Sequence, residues 1–161
     1  VKKADFIDRL FASNPMHRGM VEYLLLFGTG ILGLIFSWSK IPFFPASNIV
    51  GGVLIAAGLL FHLYAEKKHR QAHEKSADIE RIVQEGMFAR IRHPLYLGII
   101  VMNVGIALAF GVVITLIIAL LSVFHWIVSA LKEEEFLLQK FGNEYKRYMN
   151  NVKWRFIPFI F

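Results

Sequence analysis

Three stretches of this chain carry no Asp, Glu, Lys or Arg: from Tyr23 to Ser39, from Ile41 to Ala65 and from Pro94 to Leu131. A helix rises about 1.5 Å per residue and the hydrocarbon core of a bilayer is about 30 Å thick, so roughly 20 apolar residues cross it once. The first two gaps fit one crossing each. The third holds 38 residues, which suits two helices joined by a tight turn near Ala109-Phe110-Gly111. Backbone groups at such a turn need water or protein partners, so it belongs at an interface. The expected fold is therefore all-α: a single-domain integral membrane helical bundle of about four transmembrane helices. A hydrophobic content of 56% over 161 residues excludes a soluble domain.

The spacing places an interfacial segment at 1–20, spans at about Val21 to Trp38 and Ser47 to Tyr64, and a rigid aromatic connector, Ile41-Pro42-Phe43-Phe44-Pro45, between them. A charged loop follows from 65 to 92, then a helical hairpin from 93 to 131 and a tail from 132 to 161 that begins as an amphipathic helix. Of 18 basic residues, 4 precede the first span, 7 lie between Ala65 and Arg92, 6 follow Leu131, and Lys40 stands apart. Four crossings put all three basic segments on one side, the cytoplasm by the positive-inside rule. Topology and anionic lipid thus account for the net charge of +6, with no nucleic acid as partner. No cysteine is present, which removes disulfides and thiolate nucleophiles. The first residues show no signal-peptide cleavage pattern.

Two segments carry chemistry. In Gly86-Met87-Phe88-Ala89-Arg90-Ile91-Arg92-His93-Pro94-Leu95-Tyr96-Leu97-Gly98, Pro94 suits the first helical position and His93 the cap before it. A helix start there can hold a carboxylate, with Arg92 adding charge and Tyr96 a hydroxyl; the same residues also suit a simple membrane anchor. In the second segment, Glu133, Glu134 and Glu135 stand where a helix leaves the membrane, opposing its dipole, as a cation site or as a solvated face. Within the last span, His125 shares a stripe with Ser122, Ser129 and Glu133 that reads as cavity-lining. His62, His69 and His73 share helical spacing, but no carboxylate or Cys completes a metal set, and no metal is expected.

Together the two segments resemble the isoprenylcysteine carboxyl methyltransferase and phospholipid methyltransferase superfamily of membrane enzymes. The pattern R-H-P-x-Y-x-G followed by E-E-x-x-L-x-x-x-F-G-x-x-Y-x-x-Y is met at Arg92, His93, Pro94, Tyr96, Gly98, Glu133, Glu134, Leu137, Phe141, Gly142, Tyr145 and Tyr148. The resemblance, over about residues 47–161, implies an S-adenosylmethionine-dependent methyltransferase acting on a lipid-like or prenylated acceptor, a carboxylate or an amine, at the cytoplasmic face. It implies cofactor contacts at His73, Glu80, Arg81, Ile82, Val83, Phe88, Arg92, His93, Pro94, Leu95, Tyr96 and Glu133. Catalytic candidates are His93, Tyr96, Glu134 and Arg155, with His93 or Glu134 taking the proton of a lipid amine. Eukaryotic isoprenylcysteine enzymes carry an Arg one turn before the first tail Glu, where this chain has Ser129, and Arg155 replaces that charge only if the tail folds back. The C-terminal residues are also similar to those of NADPH-dependent sterol reductases, an alternative disfavoured by chain length and by Glu133-Glu134. A small non-catalytic transport or scaffold protein is the third reading; it calls for a carboxylate within a span, and every Asp and Glu is expected outside.

Overall fold

The computed structural model describes residues 15–68 and 79–160. They form five α-helices: α1 (Pro15–Ile35), α2 (Ala46–Lys68), α3 (Pro94–Phe110), α4 (Val113–Phe141) and α5 (Asn143–Asn151), with a 3-10 turn at Gly86–Ala89 before α3. Among the described residues there is no strand. Three helices are long and apolar enough to cross a membrane, in Arg18–Ile35, Ala46–Lys67 and Val113–Phe141. The fourth apolar helix, α3, has 17 residues and rises about 26 Å, slightly less than the hydrocarbon core. The outward faces of these helices are bare, with Leu24 72%, Leu60 68% and Phe124 69% exposed, an arrangement that only lipid contact makes favourable for side chains of this size.

Helices α2 and α3 run antiparallel along a seam of glycines. A Cβ on Gly51 would lie 2.3 Å from the Ala109 nitrogen, and one on Gly58 would lie 2.8 Å from the Gly98 carbonyl oxygen. In lipid, where apolar burial gives helices no drive to associate, such backbone proximity supplies the dispersion contacts that do. Across the bundle, α1 lies antiparallel to α4 and is joined to it by Thr29 Oγ1 and Thr115 Oγ1 at 3.2 Å.

The expected turn is present: α3 ends at Gly111 and α4 starts after Val112. Its backbone groups find protein partners at the start of the aromatic connector and just before it, through Ile41 N to Gly111 O at 2.7 Å and Val113 N to Ser39 O at 2.9 Å. Three points differ from the sequence reading. Helix α1 begins at Pro15, because proline at a first helical position costs no hydrogen bond. Helix α4 continues unbroken through Leu131 to Phe141, so its charged final turns project from the span instead of starting a separate tail. Acidic residues are also not all outside the spans: Glu22 lies in α1 and turns inward, accepting hydrogen bonds from Trp126 Nε1 at 2.7 Å and Asn103 Nδ2 at 3.1 Å.

Candidate active site

The site forms where α4 leaves the apolar layer. At Gly142, whose φ of 54° an L side chain would resist, the chain turns sharply into α5. That turn brings Tyr145 and Tyr148 back against Leu137, with Ile79 and Val152 completing a buried cluster. The following residues fold back further. Arg92 N donates to Trp154 O and His93 N to Arg155 O, both at 2.9 Å, so residues 154–155 run beside 91–93 like a short strand pair.

The three consecutive glutamates then diverge. Glu134 is buried under the fold-back, accepting from Arg92 Nε at 2.7 Å, Arg155 Nε at 3.0 Å and His93 Nε2 at 3.1 Å. Arg92 Nη1 also donates to the carbonyls of Val152 and Lys153, at 2.9 and 3.1 Å. A carboxylate with two guanidinium partners is a poor proton acceptor; here it ties α3, α4 and the C-terminal segment together. Glu133, one position earlier, accepts a hydrogen bond from the Tyr96 hydroxyl and faces a pocket. Glu135 is 61% exposed and pairs with Lys132 at 3.3 Å, a surface pair of little energetic weight.

The pocket is an open cleft with about 380 Å³ of empty space, its mouth included, lined by Ile79, Arg81, Ile82, Val83, Phe88, Arg92, His93, Glu133, Leu137, Tyr145 and Tyr148. Of the expected site residues, Arg81, Ile82, Val83, Phe88, Arg92, His93 and Glu133 thus converge on one cavity. Tyr96 reaches it through Glu133, its ring stacked on His93 with centroids 5.5 Å apart. Glu134 and Arg155 lie behind it, acting on it only through Arg92 and His93. Glu80, exposed, and Pro94 and Leu95, buried, do not line it; Pro94 and Leu95 are turned into helix packing at the start of α3. His73 lies outside the described residues. His93 occupies the cap position of α3 without a side-chain cap hydrogen bond, because its ring is drawn to Glu134.

Ile79, Leu137, Tyr145 and Tyr148 line the cleft without having been nominated from sequence. The last three stand in the motif that begins at Glu133, and their spacing could have marked them. Burial, reinforced by the carboxylates of Glu134 and Glu133, pushes the Tyr145 phenol well up; burial does the same to Tyr148 against the opposing effect of Arg92. Both are therefore neutral hydroxyls near neutral pH, and that of Tyr148 donates to Phe88 O at 2.8 Å, fixing the 3-10 turn as the cleft's floor. The stripe on α4 reads differently from its expected cavity-lining role. Ser122 accepts from Asn103 Nδ2 at 2.7 Å and Ser129 from Arg18 Nη1 at 2.9 Å, so these hydroxyls dock neighbouring helices.

The family model for phospholipid methyltransferase matches residues 46–144, which includes α2, α3, α4 and the loop between α2 and α3. The chain belongs to the phospholipid methyltransferase family. It is accordingly a membrane methyltransferase that acts on lipid. No curated protein matches its sequence. Within this methyltransferase the cleft and the Glu134 network lie inside or beside the matched residues, whereas α1 precedes them and residues 145–160 follow them.

Proposed function

We propose that this protein methylates the head group of a lipid-like acceptor with S-adenosylmethionine as methyl donor, in a cleft open to the cytoplasm. The observation that carries the reading is the convergence of Glu133, Arg81 and the rings of Phe88, Tyr145 and Tyr148 on one cavity. A carboxylate, a cation and flat apolar walls complement a ligand bearing an ammonium, a carboxylate and a heteroaromatic ring. S-adenosylmethionine has all three, and when bound it supplies an electrophilic methyl whose S–CH3 bond breaks, the pair remaining on sulfur, as the acceptor's lone pair bonds to carbon.

The chain's own residues then bind, orient and move a proton. Glu133 accepts hydrogen bonds from the ligand's ammonium while Tyr96 holds its carboxylate in place. His93 is positioned by Glu134, which accepts from Nε2, so the ring's other nitrogen, Nδ1, is the one offered to the acceptor. That nitrogen takes the proton released by an amine acceptor; a carboxylate acceptor, already ionised, needs no base. Glu134 and Arg155 are positioning residues, as they hold Arg92 and His93, which line the cleft. The cytoplasmic orientation rests on the basic residues gathered at this end of the bundle.

Calorimetric titration of the purified protein with S-adenosylhomocysteine and, separately, with NADPH tests this reading. S-adenosylhomocysteine is expected to bind and NADPH to give no heat. Binding of NADPH alone overturns the methyl-donor assignment in favour of a reductase.

A further inference from the structure

Arg18 enters the apolar layer at the start of α1, one turn before Glu22. Its guanidinium lies over the Trp126 ring, 5.8 Å from the centroid, and its Nη1 donates to Ser129 Oγ. Its Nε is buried with no hydrogen-bond partner. No carboxylate among the described residues lies within ion-pair distance of it: Glu22, one turn on, feels its charge from farther off, but makes its hydrogen bonds with Trp126 and Asn103 and lies 3.8 Å from His125. A permanently charged group held at the edge of the hydrocarbon layer with an idle donor is costly unless an anion completes it.

Its location says what that anion belongs to. Ser129 is one helical turn, about 6 Å, before Glu133 on α4. Trp126, the plate beneath the guanidinium, touches the ring of Tyr96 with centroids 4.8 Å apart, and Tyr96 in turn holds Glu133. The cation therefore sits directly on the membrane side of the cleft, at the level where an amphiphile's polar head meets its chains. Deeper in the bundle, Asn103 is fully buried and its Nδ2 donates to Glu22 and Ser122, so Glu22 is held by neutral donors.

We infer that Arg18, seated on Ser129 and Trp126, binds an oxyanion of the lipid acceptor and so presents the acceptor's head group to the cleft from the membrane side. The inference rests on the methyltransferase reading above. It assigns to α1, which precedes the family-matched residues, the recognition of the acceptor. An oxyanion of this kind is either the phosphate of a phospholipid, whose amine then extends toward Glu133, or the carboxylate of a prenylated amino acid. Arginine suits both, since its planar donors match phosphate and carboxylate alike.

The test is equilibrium binding to the full chain in neutral detergent, parent against Arg18→Gln. Three probes are used: dihexanoyl phosphatidylethanolamine, N-acetyl-S-farnesylcysteine, and sphingosine, an amine amphiphile without an oxyanion. The parent is expected to bind at least one oxyanion probe, and the variant to bind that probe about tenfold or more weakly. Sphingosine is expected to bind both proteins alike, and Arg18→Lys to recover part of the loss. Which oxyanion probe responds identifies the source. Equal affinity of parent and Arg18→Gln for all probes, loss of all three together, or no binding of either oxyanion probe by the parent overturns the inference. S-adenosylhomocysteine titrated into the same samples separates the two claims: if the parent fails to bind it while the Arg18 effect holds, the methyl-donor reading fails and the oxyanion site stands.

Discussion

Three adjacent glutamates at the end of one helix have three different environments, and the difference follows from helical geometry. Successive residues are turned by about 100°, so one side chain faces the cleft, the next the fold-back and the third solvent. Replacing Glu133 by Gln keeps its shape and removes its charge. A hydrogen bond to a charged ligand group in a sheltered site contributes about 1.5 to 3 kcal/mol, so the affinity for S-adenosylhomocysteine should fall about tenfold or more. Glu135→Gln, on the exposed Lys132 pair, should bind as the parent does, with stability changed by about 0.5 kcal/mol or less. Equal binding by both variants and the parent would make Glu133 a surface residue and move the ligand elsewhere. The different settings of Glu133, in the cleft, and Glu135, exposed, were legible from their places in the pattern. The closure of Glu134 by Arg155 was not, because the residues are 21 apart and no spacing rule says that the chain returns.

At the scale of elements, absent charges mark the spans, since a single ionised residue facing lipid is expensive and its absence over 17 or more residues is informative. The antiparallel pairing of α2 and α3 is less visible: a glycine in an apolar run does not announce which neighbour it meets. The pairing makes a sharp forecast. Gly51→Ala forces a Cβ to 2.3 Å from the Ala109 nitrogen, whereas a Cβ on the adjacent Gly52 meets nothing within 4 Å. Gly51→Ala should lower the thermal unfolding midpoint in detergent, at a cost of about 1 to 3 kcal/mol for overpacking against backbone, and Gly52→Ala should leave it unchanged. Equal midpoints for the two variants would mean that the helices do not approach along this seam. The start of α1 was misjudged for a related reason. Arg18 and Glu22 in the first turns look like the wet end of a span, and only the positions of Trp126, Asn103 and Ser129 reveal that both turn inward.

For the whole molecule, the bundle places a polar cleft on one end of an apolar body, and the fold-back of residues 152–156 closes that end over a charged network. The fold class was open to reading because bilayer thickness limits the solutions for so apolar a chain. The site was open to reading as a set of residues, but which of them share a cavity depends on the turn at Gly142 and on contacts 40 to 60 residues apart. The most direct measurement of the central claim uses the full chain in sealed phospholipid vesicles sorted into those with the Lys153 end outward and those with it inward, supplied externally with methyl-labelled S-adenosylmethionine. The account predicts label in the organic-extractable lipid of the first population, little in the second until the vesicles are permeabilised, and about a tenth as much or less with Glu133→Gln at donor concentrations below saturation. No transfer to any lipid in either population, even after permeabilisation and with phosphatidylethanolamine and a farnesylcysteine acceptor both present, would contradict it.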